Sequence, residues 1–183
     1  KLEWAKRSAE QYPEDYTANV QALERVQPVD LTASEIAVRL GATWLPTEVI
    51  DQFIYELFGT SPRSQRMIRS HYSQHTGAWN IESKFADRGN VKAENTYGTT
   101  RVNGYKIIEE TLNLRDLRIF DYVEDEHGNR VPILNKKETA IAQGKQELIK
   151  QAFQDWIWKD PARRERLTRL YNDKFNSIRP REY

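Results

Sequence analysis

MIRSHYSQHTGAWNIES, residues 67–83, decides how this chain is read. Two alternating apolar–polar runs flank Gln74-His75-Thr76-Gly77, and a Gly-bearing turn between such runs predicts a β-hairpin. The pattern returns at LRIFDYVE (117–124) and RVPIL (130–134) around DEHGN (125–129). Pro132 has no N–H for a ladder, so it confines RVPIL to an edge or a strand start. Between the hairpins, NGYKIIEETLN (103–113) predicts a short helix begun by Asn103, and the polar stretch FADRGNVKAENTYGTTR (85–101) reads as loop. The centre is therefore expected to be a small α+β unit, a helix laid on an antiparallel sheet.

Outward on the N-terminal side the period becomes helical. Tyr16, Val20 and Leu23 recur at helical spacing after Pro13, a residue suited to a first turn. LTASEIAVRLG (31–41) predicts a second helix, with Thr32 and Glu35 as a capping box, Leu31 and Ile36 as a staple, and Gly41 as the stop. Pro46-Thr47 opens a third, whose Val49, Ile50, Phe53, Ile54, Leu57 and Phe58 form an apolar stripe closed by Gly59. On the C-terminal side, Ile141, Leu148, Ile149, Ala152, Phe153 and Trp156 fall within roughly 140° at 100° per residue, predicting a helix over 136–158. Asp160-Pro161 breaks it and starts the last helix, with Leu167, Leu170, Tyr171 and Phe175 on its buried side. The expectation is one α+β domain over 1–183, in three sub-regions: helical 1–62, hairpins 63–135, and helical 136–183 with a basic end.

Composition agrees with a folded chain and excludes several chemistries. The mean hydropathy is −0.82, polar for a folded protein, yet five Trp and nine Tyr are too many for a disordered one. No apolar run approaches a membrane span and KLEWAKRSAE has no signal-peptide core, so no membrane partner is expected. The absence of Cys rules out disulfides, thiol nucleophiles and thiolate metal sites; it suits a reducing cytosol, and a cytoplasmic location is expected. No P-loop, no G-x-G-x-x-G turn, no Asp/Asn-Pro-Pro-aromatic tetrad, no G-x-S-x-G and no H-E-x-x-H occurs. A non-catalytic chain with no metal and no cofactor of its own follows as the expectation.

The net charge of +1 hides a polarity. Residues 1–62 carry 5 Lys/Arg against 10 Asp/Glu, residues 63–158 carry 15 against 13, and residues 159–183 carry 8 against 4. In the middle, Arg66, Arg69, Lys84, Arg88, Lys92 and Arg101 are interleaved with Tyr72, Trp79, Phe85 and Tyr97. Cations on phosphate with bases stacked on rings is the recipe for single-stranded nucleic acid; Trp79 and Tyr97 are the stacking candidates, and a core-facing Trp79 amid ordinary surface charge is the alternative. In the tail, Arg163, Arg164, Arg166, Arg169, Lys174, Arg179 and Arg181 suit phosphate contacts, but Glu165 and Asp173 sit four residues either side of Arg169 and could neutralise that face. His71, His75 and His127 would form a metal site only if the two hairpin turns met, and Glu124 to Glu126 would bind a hard cation; turn solvation accounts for both more simply.

RLGATWLPTEVIDQFIYELFGT (39–60), W-N-I (79–81), NTYGTTRVNGYKIIEETLNLRD (95–116) and NKKETAIAQGKQELIKQAFQDWIWKDPARRERLTRLYNDKFNSIRPREY (135–183) form an ordered string of phrases. From about Tyr12 onward the chain resembles a segment of the large adenine-specific DNA methylase/helicase fusion proteins of phages and conjugative elements. The resemblance implies a methylase domain before this segment and a Swi/Snf-type helicase domain after it. It implies S-adenosylmethionine and ATP as cofactors of those other domains, which together with DNA would be the partners. No catalytic residue carries over, since none of that family's catalytic motifs is present. A start at Lys1 fits an excised interdomain piece.

The expected role is a non-catalytic connecting domain that engages DNA phosphates through Arg163, Arg166, Arg169, Arg179 and Arg181, with Arg88, Lys92 and Arg101 second. The alternative is a protein-docking module that touches no nucleic acid, and a remote one is a small hydrolase with a metal held by the three histidines.

Overall fold

A computed structural model describes residues 2–26 and 28–176. The fold is α+β, with seven helices and two antiparallel hairpins among the described residues. The chain divides into two compact units: Val38–Arg163, and Lys1–Ala37 together with Arg164–Tyr183.

In the Val38–Arg163 unit, α3 (Thr47–Phe58) forms where the apolar stripe predicts it. Val49, Ile50, Phe53, Ile54 and Phe58 are buried, and Gly59 ends the helix in the left-handed conformation at φ 62°. After the single turn α4 (Pro62–Gln65), β1 (Ser70–Ser73) pairs with β2 (Ala78–Ile81), Tyr72 opposite Trp79. A short π-helical turn, Lys92–Thr96, interrupts the stretch expected as loop. Helix α5 (Gly104–Leu112) starts at Asn103, whose Oδ1 accepts from the Lys106 N–H at 2.9 Å. Helix α6 (Lys136–Ile157) brings Phe153 against Phe53, ring centroids 5.1 Å apart and near-perpendicular, while Phe58 packs on Tyr105 at 4.6 Å.

The second hairpin pairs β3 (Phe120–Glu124) with β4 (Arg130–Leu134), Tyr122 facing Pro132. The two hairpins are separate two-stranded sheets, which corrects the single central sheet. Tyr122, Val123, Val131, Ile133 and Leu134 are all exposed.

The extended segment 115–119 joins no sheet. Its backbone groups are satisfied by α6 side chains instead. Gln146 Nε2 donates to the Arg115 carbonyl at 2.8 Å, Gln143 Nε2 to the Leu117 carbonyl at 3.0 Å, and Thr139 Oγ1 accepts from the Ile119 N–H at 2.9 Å. The buried stripe of α6 is accordingly Thr139, Ala142, Gln146, Ile149, Phe153 and Ile157. Ile141 and Leu148, expected inside, are exposed; the helix is rotated so that amide and hydroxyl groups face backbone needing partners.

In the other unit, α1 (Leu2–Gln11) and α2 (Pro13–Arg25) fold back on each other, bridged by Lys6 and Glu24 at 2.9 Å. LTASEIAVRLG is not a helix. The Thr32–Glu35 box forms, with Glu35 accepting from the Thr32 N–H at 2.8 Å and its hydroxyl at 2.7 Å, but it closes one turn only. The Thr32 N–H, then its hydroxyl, hold the Glu35 carboxyl below its ordinary value. Ile36, Val38 and Leu40 are then buried while Ala37 and Arg39 are exposed, the period-2 signature of extended chain. Gly41, already within the Val38–Arg163 unit, is no helix stop: at φ 97° it lies where a Cβ would collide with the Leu112 carbonyl. Helix α7 (Pro161–Phe175) buries Leu167 and leaves Phe175 exposed. Its Asn172 brackets Leu31, accepting from the N–H at 2.8 Å and donating to the carbonyl at 2.9 Å.

Candidate nucleic-acid interface

The turn-rich segment 82–91 is pinned from beneath. Asn90 Oδ1 accepts from the Lys92 and Ala93 N–H groups at 3.0 and 3.2 Å, while its Nδ2 donates to the Phe58 carbonyl at 3.1 Å and to Asp87 at 2.6 Å. Gly89 N–H donates to Glu94 at 2.8 Å. The Tyr105 hydroxyl donates to Asp87 at 2.7 Å and lies 2.7 Å from the Thr60 hydroxyl. Burial first, and the Asp87 carboxylate with it, pushes the Tyr105 hydroxyl well above its ordinary pKa, against the Thr60 bond. Tyr105 therefore stays protonated as a donor, and the Asp87 charge is turned inward.

What this scaffold presents outward is Phe85, 70% exposed, with the Arg88 guanidinium 5.9 Å from its ring centroid. Lys92 is exposed beside them, its ammonium 4.0 Å from where a Cβ on Gly59 would sit. It thus lies by the negative end of α3 and keeps its charge toward solvent. A small cavity of about 160 Å³ runs under Phe85 and Arg88 toward Tyr105 and Asn103.

The other expected residues divide. Trp79 is buried at 4% exposure against Tyr72, ring centroids 5.1 Å apart, and offers no face for a base. Its backbone is bracketed by Asn113, Oδ1 accepting from the N–H at 2.8 Å and Nδ2 donating to the carbonyl at 2.9 Å. Tyr97 is half-buried against Phe58 at 6.0 Å. Arg101 is tied to the second hairpin, reaching Asp121 at 2.7 Å and the Phe120 carbonyl at 2.8 Å. Arg163 is buried, stacked 3.5 Å over the Trp156 ring, and donates to the Trp156 and Ile157 carbonyls. It caps the carboxyl end of α6, so its charge does not face solvent. Arg169 is shared between Asp30 at 3.3 Å and Asp173 at 3.4 Å. Arg166 is exposed. Arg179 and Arg181 lie outside the described residues.

Phe85 is the residue the sequence reading passed over for Trp79. The available signal was its setting: an aromatic in a polar, Gly-bearing stretch has no periodic apolar neighbours with which to be buried.

His71 and His75 are exposed on the first hairpin and His127 on the second, and no group of three or more His, Asp or Glu placed to hold a metal ion occurs among the described residues. Asp125, within the acidic turn, accepts from the His127 and Asn129 N–H groups at 2.8 Å each; it serves the turn. No helix among the described residues is long and apolar enough to cross a membrane.

No curated protein and no solved structure matches this chain. A family model does, over residues 39–177. That range takes in α3, both hairpins and every helix after them, and the chain belongs to the family described as Domain of unknown function (DUF8437).

Proposed function

We propose that the chain is a non-catalytic connecting domain that engages DNA by sequence-independent contacts, within a larger protein that modifies and translocates along DNA. The exposed Phe85 with Arg88 beside its ring carries this reading. A solvent-facing ring offers a stacking platform, and the exposed Arg88 and Lys92, neither with an ion pair among the described residues, supply phosphate contacts. Single-stranded DNA is the form that uses all of these, because only unpaired bases reach an aromatic face.

Fluorescence anisotropy of the full chain with a labelled 20-nucleotide strand and the matching duplex, at low and at physiological salt, tests it. Binding to the single strand is expected to weaken with a log–log salt slope of about −1.4, as two neutralised phosphates require. Phe85→Ala should lower single-strand affinity by about tenfold and leave duplex affinity unchanged. Arg88→Ala and Lys92→Ala should lower both. No binding at low salt, or binding indifferent to all three substitutions, discards the proposal.

The β3–β4 hairpin supports the second reading, a docking module for a neighbouring domain. It exposes apolar side chains on both faces, and such a patch is uncommon on a surface meant for water.

A further inference from the structure

Apart from the Phe85 patch, the Val38–Arg163 unit holds a cleft of about 320 Å³ where the end of α5 meets α6. Arg39, Arg115 and Lys150 line it, with Asp116 as the one acidic group and Leu40 and Leu114 as apolar wall. The chain is led into the cleft by a left-handed residue. Leu114 sits at φ 58°, with its N–H on the Thr111 carbonyl at 3.0 Å and the Arg115 N–H on the Glu110 carbonyl at 2.9 Å. These are the two bonds of a Schellman end, made here with leucine where glycine is usual. The floor is Gln146, 2% exposed, whose amide donates to Thr111 Oγ1 at 3.1 Å and to the Arg115 carbonyl.

Two of the three cations, Arg39 and Arg115, are weakly engaged by the protein. Arg39 makes no ion pair among the described residues, Arg115 reaches Glu110 only at 3.9 Å, and Lys150 pairs with the exposed Glu147 on its own helix. Against Asp116 alone, the lining carries a net charge of two positive units, which equals the charge of a phosphomonoester above its second pKa of about 6. The volume lies at the lower end of small-molecule sites.

We propose that this cleft binds a small phosphomonoester. Arg39, Arg115 and Lys150 take the phosphate, Leu40 and Leu114 cover the organic part, and Asp116 accepts from a hydroxyl or amine of the ligand. A free metabolite and the 5′-phosphorylated end of a nucleic-acid strand present this same group. The proposal does not depend on the stacking surface at Phe85.

Isothermal titration of the full chain with adenosine 5′-monophosphate, inorganic phosphate and adenosine tests it. The monophosphate and phosphate should bind and adenosine should not. Arg39→Ala and Arg115→Ala should each weaken the monophosphate by about tenfold, and Lys150→Gln by a similar factor. Arg88→Ala should leave it unchanged, which separates this site from the DNA surface. An octanucleotide with a 5′-phosphate that binds tighter than its 5′-hydroxyl form, with the difference lost in Arg115→Ala, assigns the phosphate to a strand end; equal binding assigns it to a free metabolite. Absence of monophosphate binding at low salt, or binding untouched by Arg39→Ala and Arg115→Ala, overturns the proposal. Both arginines are exposed, so their removal leaves the core intact.

Discussion

Single polar side chains replace sheet partners throughout this protein. Asn113 supplies both the acceptor and the donor that a neighbouring strand would give Trp79, and Asn172 does the same for Leu31. Two part-buried backbone groups depend on each amide, so Asn113→Ala is expected to cost about 2 kcal/mol in urea unfolding, with Asn113→Asp recovering only the acceptor half. Glu109 is the charged version. It is buried, accepts from the Ile81 N–H at 2.9 Å, and meets Lys84 at 2.5 Å and Lys106 at 2.8 Å. Burial raises its pKa, but the Ile81 N–H and the two lysines together outweigh it and hold the group below its ordinary 4.5. A depressed carboxyl contributes stability that is complete above the unfolded pKa and is lost as pH falls through the folded one. Stability should therefore decline below pH 4.5, and Glu109→Gln should flatten that decline when unfolding is followed from pH 6 to pH 3. At Leu114 the left-handed backbone costs a leucine roughly 1 kcal/mol relative to glycine, and Leu114→Gly should raise the urea midpoint accordingly.

At the level of elements, α3, α5, α6 and both hairpins are readable from the chain because their signals are local. Gly59 stops α3, Asn103 and Asn135 start helices with their own side chains, and alternation around a glycine marks each hairpin. LTASEIAVRLG misleads for a definite reason. A capping box specifies how a helix begins, and here nothing obliges the chain to continue it once Ile36, Val38 and Leu40 can be buried on one side of an extended chain. The rotation of α6 was equally hidden, since Thr139 and Gln146 belong to the buried stripe only because an extended segment without a strand partner lies along it. Of the proposed surface, Arg88 and Lys92 stand out in the chain as charge among aromatics, whereas the inward use of Arg163 and Trp79 follows from tertiary contacts that no spacing encodes. Along α6, Thr139, Gln143 and Gln146 work as a set. Inserting one alanine after Lys137 would turn each by about 100° relative to the cap, and loss of cooperative thermal unfolding by circular dichroism is the expected result.

Across the whole molecule, burial is concentrated in the Val38–Arg163 unit. Phe53, Phe58, Tyr105 and Phe153 are among its fully buried side chains, whereas α1 has no buried residue. Hydrogen exchange should follow this contrast, with amides of α1 and α2 exchanging well before those of α3, α5 and α6 in a peptide-resolved experiment; equal protection would contradict it. The bonds from Asn172 to Leu31 and from Arg169 to Asp30 join positions 141 and 139 residues apart. Residues 28–31 consequently emerge from a ribosome long before the asparagine that completes them. During synthesis the Val38–Arg163 unit has all its residues in hand first, while the segment 28–31 waits for α7, and loop closure over that distance makes its docking the slower step.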